Sequence, residues 1–249
     1  MKKTLYLILT VFLVACNGDN VPDCFQNAGD IVQQEIEVAT FDKIIVFERV
    51  ELIVTQAATQ KVVVETGEYL MNDVKVTVTN GQLVLKNQNG CNLTRDYGLT
   101  KVFVETPDLV EIRNSSGLTV RSNGALHFPG LSLVSENSND ANATHTDGDF
   151  RLEFHGETLN VATNNLTNVF VSGTVNNLFV GFYSGNGRFE GGDLVAQNVE
   201  IFQRSSNDMI LNPQQSITGE IRSTGDVILV NEPPIVDVQQ FYTGELIIQ

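Results

Sequence analysis

The densest group of acidic side chains in the sequence falls within residues 140–153. It comprises Asp140, Asp147, Asp149 and Glu153, with His145 and His155 close by. Two carboxylates facing one groove can cleave a glycosidic bond as acid and base, and carboxylate oxygens are also ligands for calcium. Aspartate equally favours turns, where it bonds to the nearby backbone. Because aspartate is common in turns, we predict no catalytic residue here, and because the spacing is not that of a calcium repeat, we predict no metal-binding residue. Asp140, Asp147 and Asp149 are kept as candidates for contact with a ligand.

Aromatic side chains are the second group with binding chemistry. Tyr183 is retained as a candidate for stacking on a sugar ring, a role that would need an exposed ring. The other candidates of this type are Tyr69, Tyr97, Phe182 and Tyr242. Partial burial at the edges of strands is the alternative for all of them.

The motifs that bind cofactors or activate nucleophiles do not occur in the sequence. There is no glycine-rich phosphate loop, no nucleophile elbow and no pairing of a cysteine with a histidine. The three histidines, His127, His145 and His155, do not have the spacing of metal ligands. We therefore expect no cofactor, no metal and no enzymatic activity.

A repeat of about ten residues organises the second half of the chain, where apolar pairs at i and i+2 alternate with turns rich in Gly, Asn, Asp and Ser. Taking every second pair gives steps of 19, 21, 18 and 19 residues along Leu159, Leu178, Val199, Ile217 and Val236. The other phase keeps a similar step along Val169, Phe189, Met209, Val227 and Leu246. Antiparallel hairpins have no reason to preserve this double period, so the pattern predicts an all-β parallel β-helix with rungs of about 20 residues.

The first half reads as stronger strands with less evident rungs. Residues 44–46, 52–54 and 62–64 are β-branched or leucine runs, and Asn80-Gly81 is the signal of a two-residue hairpin turn. No linker rich in Pro, Gly or Ser divides the halves. We therefore expect one domain over residues 28–249, with some hairpin character in its N-terminal part.

An ordered set of motifs resembles the putative auto-transporter adhesin, head GIN domain family. The N-terminal set is FDKIIV at 41–46, VELIVTQ at 50–56, VKVTV at 74–78 and NGQLVL at 80–85. The later set is LTKVFVETPDLVEI at 99–112, SSG at 115–117, STGDVIL at 223–229, Pro233, Pro234 and TGELI at 243–247. The resemblance spans about residues 35–249 and departs from the family in the Asn-rich middle rungs.

The resemblance implies an exported protein or lipoprotein with a right-handed β-helix and an adhesive role, and it supplies no catalytic residue. We expect a non-catalytic binding or structural module for neutral glycan or envelope protein, contacted through ladders of Asn, Ser and Thr side chains. The alternative is a polysaccharide lyase or hydrolase on the same scaffold. Carboxylates gathered with a basic residue in one groove would favour that alternative.

Charge excludes nucleic acid as a partner. The chain has 15 basic and 30 acidic residues and a formal net charge of −15. Binding to phosphates requires clustered Lys and Arg, whereas the basic residues here are thinly scattered.

The N-terminus predicts export and anchoring. A basic start is followed by an uncharged run over residues 5–14, and Leu13-Val14-Ala15-Cys16 resembles the lipobox of bacterial lipoproteins. We predict a signal peptide over 1–15 and a tether over 16–27 lipidated at Cys16; an ordinary signal peptide is the alternative. Loss of Lys2 and Lys3 leaves 13 basic against 30 acidic residues, a charge of −17. The expected location is the cell envelope, anchored by lipid in the outer membrane, with either face possible.

Two further cysteines, Cys24 and Cys91, remain in the exported chain. An even number of cysteines in an oxidising compartment predicts a disulfide between them, which would tie the tether to the body. Two buried free thiols are the alternative.

Replacing Cys16 tests the predicted anchor. We expect Cys16→Ser to abolish fatty-acid labelling and to release the protein from membranes, because the acyl chains supply the membrane affinity. Metabolic labelling and membrane fractionation measure the two effects. The double variant Cys24→Ser/Cys91→Ser is the control and should keep its label; continued labelling of Cys16→Ser would contradict the prediction.

Overall fold

The computed structural model describes residues 23–93, 95–138 and 145–249. The chain is all-β, as predicted, with 58% of residues in strands and 4% in helices. Cys16, Asp140 and the signal peptide lie outside the described residues. Among the described residues, no helix is long and apolar enough to cross a membrane.

The described strands form one sheet of 17 strands. The first ten are Ile31–Glu35 (β1), Lys43–Phe47 (β2), Glu51–Gln56 (β3), Lys61–Gly67 (β4), Val74–Thr79 (β5), Gln82–Asn87 (β6), Lys101–Thr106 (β7), Glu111–Ser115 (β8), Val120–Leu126 (β9) and Gly130–Ser135 (β10). The others are Phe150–Thr163 (β11), Val169–Phe182 (β12), Phe189–Gln203 (β13), Met209–Ile221 (β14), Val227–Leu229 (β15), Ile235–Gln240 (β16) and Leu246–Ile248 (β17). Short 3-10 helices cover Asp23–Phe25 and Glu68–Asp73.

The second half stacks in parallel register at the predicted step. Leu159 pairs with Leu178, Leu178 with Val199, Val199 with Ile217, and Ile217 with Val236. The second phase is likewise in register, through the successive partners Val169, Phe189, Met209, Val227 and Leu246. The sequence step therefore identified the partners in the sheet.

The first half makes the sheet mixed, so the parallel arrangement predicted from the repeat does not extend over the whole chain. β4 runs antiparallel to β1 and β7, and β5 runs antiparallel to β6. The β5–β6 connection explains one case, because Asn80 and Gly81 adopt φ values of 51° and 76° and return the chain beside the strand it left. The hairpin character predicted for the N-terminal part is confirmed, whereas β1, β4 and β5 depart from the parallel rungs.

The core consists of the inward residues of the stacked strands. Leu159 and Ile217 are fully buried, and Leu178 and Val199 are 2% exposed. Burial of each such side chain away from water stabilises the folded state by about 1.5–3 kcal/mol. Five phenylalanines are also among the fully buried side chains: Phe128, Phe150, Phe154, Phe182 and Phe189.

Close approach of successive rungs requires glycine at several positions, and two of those within the long strands also have a positive φ. Gly173 has a φ of 119°, and a Cβ there would lie 2.1 Å from the carbonyl oxygen of Phe154. Gly219 has a φ of 126°, and its Cβ would lie 2.0 Å from the carbonyl oxygen of Ile201. Any other residue would separate the rungs, because such distances are far below van der Waals contact.

A disulfide joins the N-terminal segment to the loop before β7. Cys24 and Cys91 are bonded, with their Cα atoms 4.5 Å apart. Arg95 supports the same junction by donating from Nη1 to the carbonyl oxygens of Asp23 and Gln26 and from Nη2 to that of Cys91. The predicted cysteine pairing is thus present in the structure, and residues 23–26 are fixed to the body.

We expect a charge at a rung partner to unfold the body. Leu178→Asp and Val199→Asp bury an unpaired carboxylate and should each lower the free energy of unfolding by more than about 4 kcal/mol. Asn186→Asp is the control, because Asn186 is exposed and its Oδ1 accepts a hydrogen bond from Ser206 that a carboxylate keeps. It should change the free energy by less than about 0.5 kcal/mol in urea denaturation. Equal losses at core and turn would show that the register is wrong.

Removing the disulfide should weaken the N-terminal junction. The bond closes a span of 67 residues, so Cys24→Ser/Cys91→Ser should cost about 2–4 kcal/mol on denaturation. Hydrogen exchange should rise first in residues 23–35 and around Arg95. Peptide mapping of the native protein that found both thiols free, or a variant of unchanged stability, would contradict the expectation.

Candidate functional site

The outward side chains of β11 to β14 form a continuous surface over the buried core. Because side chains alternate along a strand, the neighbours of the inward leucines and valines point to solvent. One column of this surface, here called the polar ladder, contains register partners from four successive rungs: Thr158, Asn177, Asn198 and Ser216. The next outward column contains Asn160, Phe179, Glu200 and Thr218.

Hydrogen bonds connect part of the polar ladder. Asn198 donates from Nδ2 to Oδ1 of Asn177 at 3.4 Å, and Ser216 donates to Oδ1 of Asn198 at 2.9 Å. The two columns border a groove of about 270 Å³ beside the half-buried ring of Phe179. The groove therefore offers mostly neutral donors and acceptors next to an aromatic ring, the arrangement that suits the hydroxyls and the apolar face of a sugar.

A second part of the same surface, the aromatic–arginine column, consists of Tyr183, Phe202, Arg204, Arg222 and Phe241. Four of these residues follow equivalent strand ends: the backbone N–H groups of Tyr183, Arg204, Arg222 and Phe241 donate to the preceding rung at 2.7–2.9 Å. Tyr183 is 43% exposed, and its ring lies 5.4 Å from that of Phe202. Arg222 lies over Phe241, with Cζ 4.2 Å from the ring centroid.

Gly181 brings the two parts together. It lies between Phe179 and Tyr183 on β12, and a Cβ there would come within 2.9 Å of the Tyr183 hydroxyl and 3.0 Å of the Phe179 ring. The missing side chain lets the two rings approach each other over the backbone. The polar ladder and the aromatic–arginine column are therefore adjacent along the strand.

A third feature, the bulge groove, has a volume of about 460 Å³ and opens where the register of β12 and β13 shifts. It is bordered by Arg151, Phe170, Ser172, Glu190 and Asp193. Arg151 lies over Phe170 with Cζ 3.8 Å from the ring centroid. This groove combines one basic residue with two carboxylates, the combination that would favour a cleaving enzyme.

Asp147 and Asp149, the two predicted aspartates that the structure describes, have different surroundings. Asp149 accepts hydrogen bonds from the backbone N–H and the side-chain amide of Asn168 at 3.3 and 3.0 Å, and it pairs with Arg151 at 3.1 Å. Asp147 is exposed, 3.8 Å from the ring of His145. Asp140 lies outside the described residues, and the described residues contain no cluster suited to a metal ion.

Asp149 belongs to a turn ladder that repeats on later rungs. Oδ1 of Asn168 accepts the N–H of Arg188 at 3.2 Å, and Oδ1 of Asp208 accepts that of Asp226, also at 3.2 Å. Oδ1 of Asp226 accepts the N–H of Glu245 at 2.9 Å. These side chains satisfy backbone donors at one corner, so their shared chemistry is structural.

Two arginines are held as cations by neighbouring carboxylates. The hydrogen bond to Glu190, supported by Asp208, raises the pKa of Arg188. The hydrogen bond to Glu220 raises the pKa of Arg222, and the same bond lowers the pKa of Glu220. In each case the carboxylate stabilises the charged form of the guanidinium.

Sequence reasoning found Tyr183 but missed most of its neighbours. The rung length of about 20 residues was used to align only the inward residues. It was not applied to the outward residues Phe202, Arg204, Arg222 and Phe241. Continuing the same step from Tyr183 leads to Arg204, Arg222 and Phe241, at 21, 18 and 19 residues. The structure also stacks the rings of His127 and His155 at 4.9 Å, a contact that the sequence spacing did not indicate.

The chain matches the family described as putative auto-transporter adhesin, head GIN domain, over residues 40–233. No curated protein is significantly similar to it. A putative adhesin of Bacteroides fragilis has a similar structure, with a TM-score of 0.79 and 19% identity over 88% of this chain and 97% of that one.

Two proteins of Parabacteroides are also similar in structure. A putative lipid binding protein of Parabacteroides distasonis has a TM-score of 0.64 and 14% identity, over 89% of this chain and 97% of that one. A putative adhesin of Parabacteroides merdae has a TM-score of 0.58 and 11% identity, over 86% and 97%. At these identities the likeness extends to the fold.

Proposed function

Because the chain belongs to the family of putative auto-transporter adhesins with a head GIN domain, we propose that it is a non-catalytic adhesin of the cell envelope that binds neutral glycan through the polar ladder. The observation that carries the proposal is the groove in which Asn177, Asn198 and Ser216 lie in register beside Phe179. Adhesion to an envelope protein is the other form of the same role.

The ladder suits an extended ligand with repeating hydroxyls. Neighbouring strands place equivalent side chains about 4.8 Å apart, so several weak contacts are made at once. Bonds within the ladder use only some of the capacity of an amide or hydroxyl group, because each has more than one donor or acceptor site. Neutral contacts also avoid the repulsion that a chain of charge −15 exerts on anionic polymers.

The body is proposed to wind as a right-handed parallel β-helix and to be anchored at Cys16 in the outer membrane. Parallel pairing of successive rungs supports the winding, and parallel crossovers are almost always right-handed. The lipobox supports the anchor, since several acyl chains hold a protein firmly to a membrane.

A polysaccharide-cleaving enzyme is the second candidate, favoured by Glu190 and Asp193 beside Arg151 in the bulge groove. Against it, Glu190 is hydrogen-bonded to Arg188, and Arg151 is paired with Asp149. Carboxylates occupied in this way are less available to move a proton than free ones.

The double variant Asn198→Ala/Ser216→Ala tests the adhesive role. Loss of two or three hydrogen bonds of about 0.5–1.5 kcal/mol each should weaken binding of a neutral oligosaccharide at least ~5-fold on a glycan array and in calorimetry. Binding should persist at high salt because no charge is involved. Asn123→Ala is the matched control: Asn123 is exposed on β9, away from the ladder, and its loss should leave affinity unchanged.

The same protein preparations test whether the chain cleaves the glycan that it binds. We expect intact glycan after prolonged incubation with native protein. Release of shortened or unsaturated products, abolished by Glu190→Gln or Asp193→Asn, would establish the second candidate. No binding to any neutral glycan or envelope protein by a folded chain would reject the adhesive proposal.

A further inference from the structure

The corners that carry the aromatic–arginine column are free of acidic residues. Residues 183–187, 204–207, 222–225 and 241–244 contain no Asp or Glu, although acidic residues outnumber basic ones 30 to 15 in the whole chain. The acids that follow these corners belong to the turn ladder: Asp208 pairs with Arg188, and Asp226 accepts the N–H of Glu245. Glu220, the register partner of Phe202, is an acid beside the column, and its carboxylate is bonded to Arg222.

Arg204 supplies positive charge at the centre of this surface. It is exposed, and among the described residues its guanidinium forms no ion pair. Its neighbour on the next rung, Arg222, is already bonded to Glu220. The column thus has one cation available for a ligand and a second whose charge is balanced.

Rings flank the available cation. Tyr183 precedes Arg204 by one rung, and Phe202 lies two residues before it on the same strand with its ring 5.4 Å from that of Tyr183. Beyond Arg222, Phe241 is 52% exposed. Phe202 is half-buried, whereas Tyr183 is exposed, and partly exposed rings near a guanidinium give an apolar surface next to a planar double donor.

We propose that the aromatic–arginine column binds the carboxylate of an acidic glycan, a chain that contains uronic acid residues. Arg204 pairs with the carboxylate, whose two oxygens match its planar fork, and the sugar ring lies against Tyr183 and Phe202. This inference rests on the proposed glycan-binding role and names a second class of sugar for it. The overall negative charge does not prevent the contact, since at 0.15 M salt charges more than about 8 Å away are largely screened.

Calorimetry with the full chain at 0.15 M salt tests the proposal, using tetragalacturonate, its methyl ester and a neutral galactose tetrasaccharide. We expect the acid to bind and the methyl ester to bind at least ~10-fold more weakly, because the ester removes the charge and keeps the ring. Arg204→Gln should weaken binding of the acid by a similar factor. Tyr183→Leu should weaken acid and ester alike.

Arg121→Gln is the matched control. It removes the same charge from β9, where Arg121 pairs with Glu51, and should leave affinity for the acid unchanged. Equal losses in Arg204→Gln and Arg121→Gln, equal binding of acid and ester, or no binding of the acid would overturn the proposal. Sodium acetate at the concentration of the sugar should not compete; full competition would show a general anion site and overturn the glycan assignment.

The ladder variant Asn198→Ala/Ser216→Ala separates this proposal from the adhesive role described above. It should lose affinity for neutral glycan and retain tetragalacturonate. Acid binding without neutral binding would leave the column standing and reject the ladder, and the reverse result would reject the column alone.

Discussion

The fold depends on keeping successive rungs in parallel hydrogen-bonded register. An extra residue in one rung shifts the pairing of all the residues that follow it. The number of residues from one rung to the next must therefore stay near 20, or a shift must be corrected within the strand. Such corrections occur between β9 and β11, between β12 and β13 and between β13 and β14. Between β12 and β13 the offset is 20 at Val169 and Phe189 and 21 at Leu178 and Val199. The extra residue of β13 is unpaired with β12 around Gly192 and Asp193, and the bulge groove opens there. The same constraint that buries the core thus creates a cavity on the surface.

Register also decides which residues can have a function. Acids at the rung corners satisfy backbone N–H groups, so an aspartate that looks catalytic in the sequence can serve a structural turn. Asp149 is the clearest case, since it serves Asn168 and Arg151 at the same time. The polar ladder differs, because its hydrogen bonds join side chain to side chain, as from Asn198 to Asn177 and from Ser216 to Asn198. The polar ladder and the aromatic–arginine column both lie at outward positions within the strands or directly beyond them.

The sequence predicted the inward residues because burial restricts them to one chemical type at a fixed step. Leu159, Leu178, Val199 and Ile217 could be aligned without any knowledge of the fold. Outward columns contain different types of residue, as in the series Tyr183, Arg204, Arg222 and Phe241. Their repeat of about 20 residues can therefore be recognised only once the register of the core is known. The antiparallel pairing of β4 escaped prediction for another reason. Its valine run resembles that of the parallel strands, and its direction depends on distant partners, β1 and β7.

The two ends of the stack differ in how their edges are treated. At the N-terminal end, antiparallel strands, the disulfide and the contacts of Arg95 cover the edge. At the other end, β16 pairs only with β14 and β17 only with β15 among the described strands, and Ile235, Val236 and Ile248 are exposed by 43% or more. An edge strand offers unpaired backbone groups, yet Asp237 in β16 and Glu245 before β17 place charges beside it, a known device against edge-to-edge association.

Ligand recognition is therefore better sought on the outward faces, where Asn198 and Arg204 lie six residues apart on one strand and its end, about 20 Å in an extended chain. A glycan lying along that strand would meet neutral contacts at one end and a cation at the other.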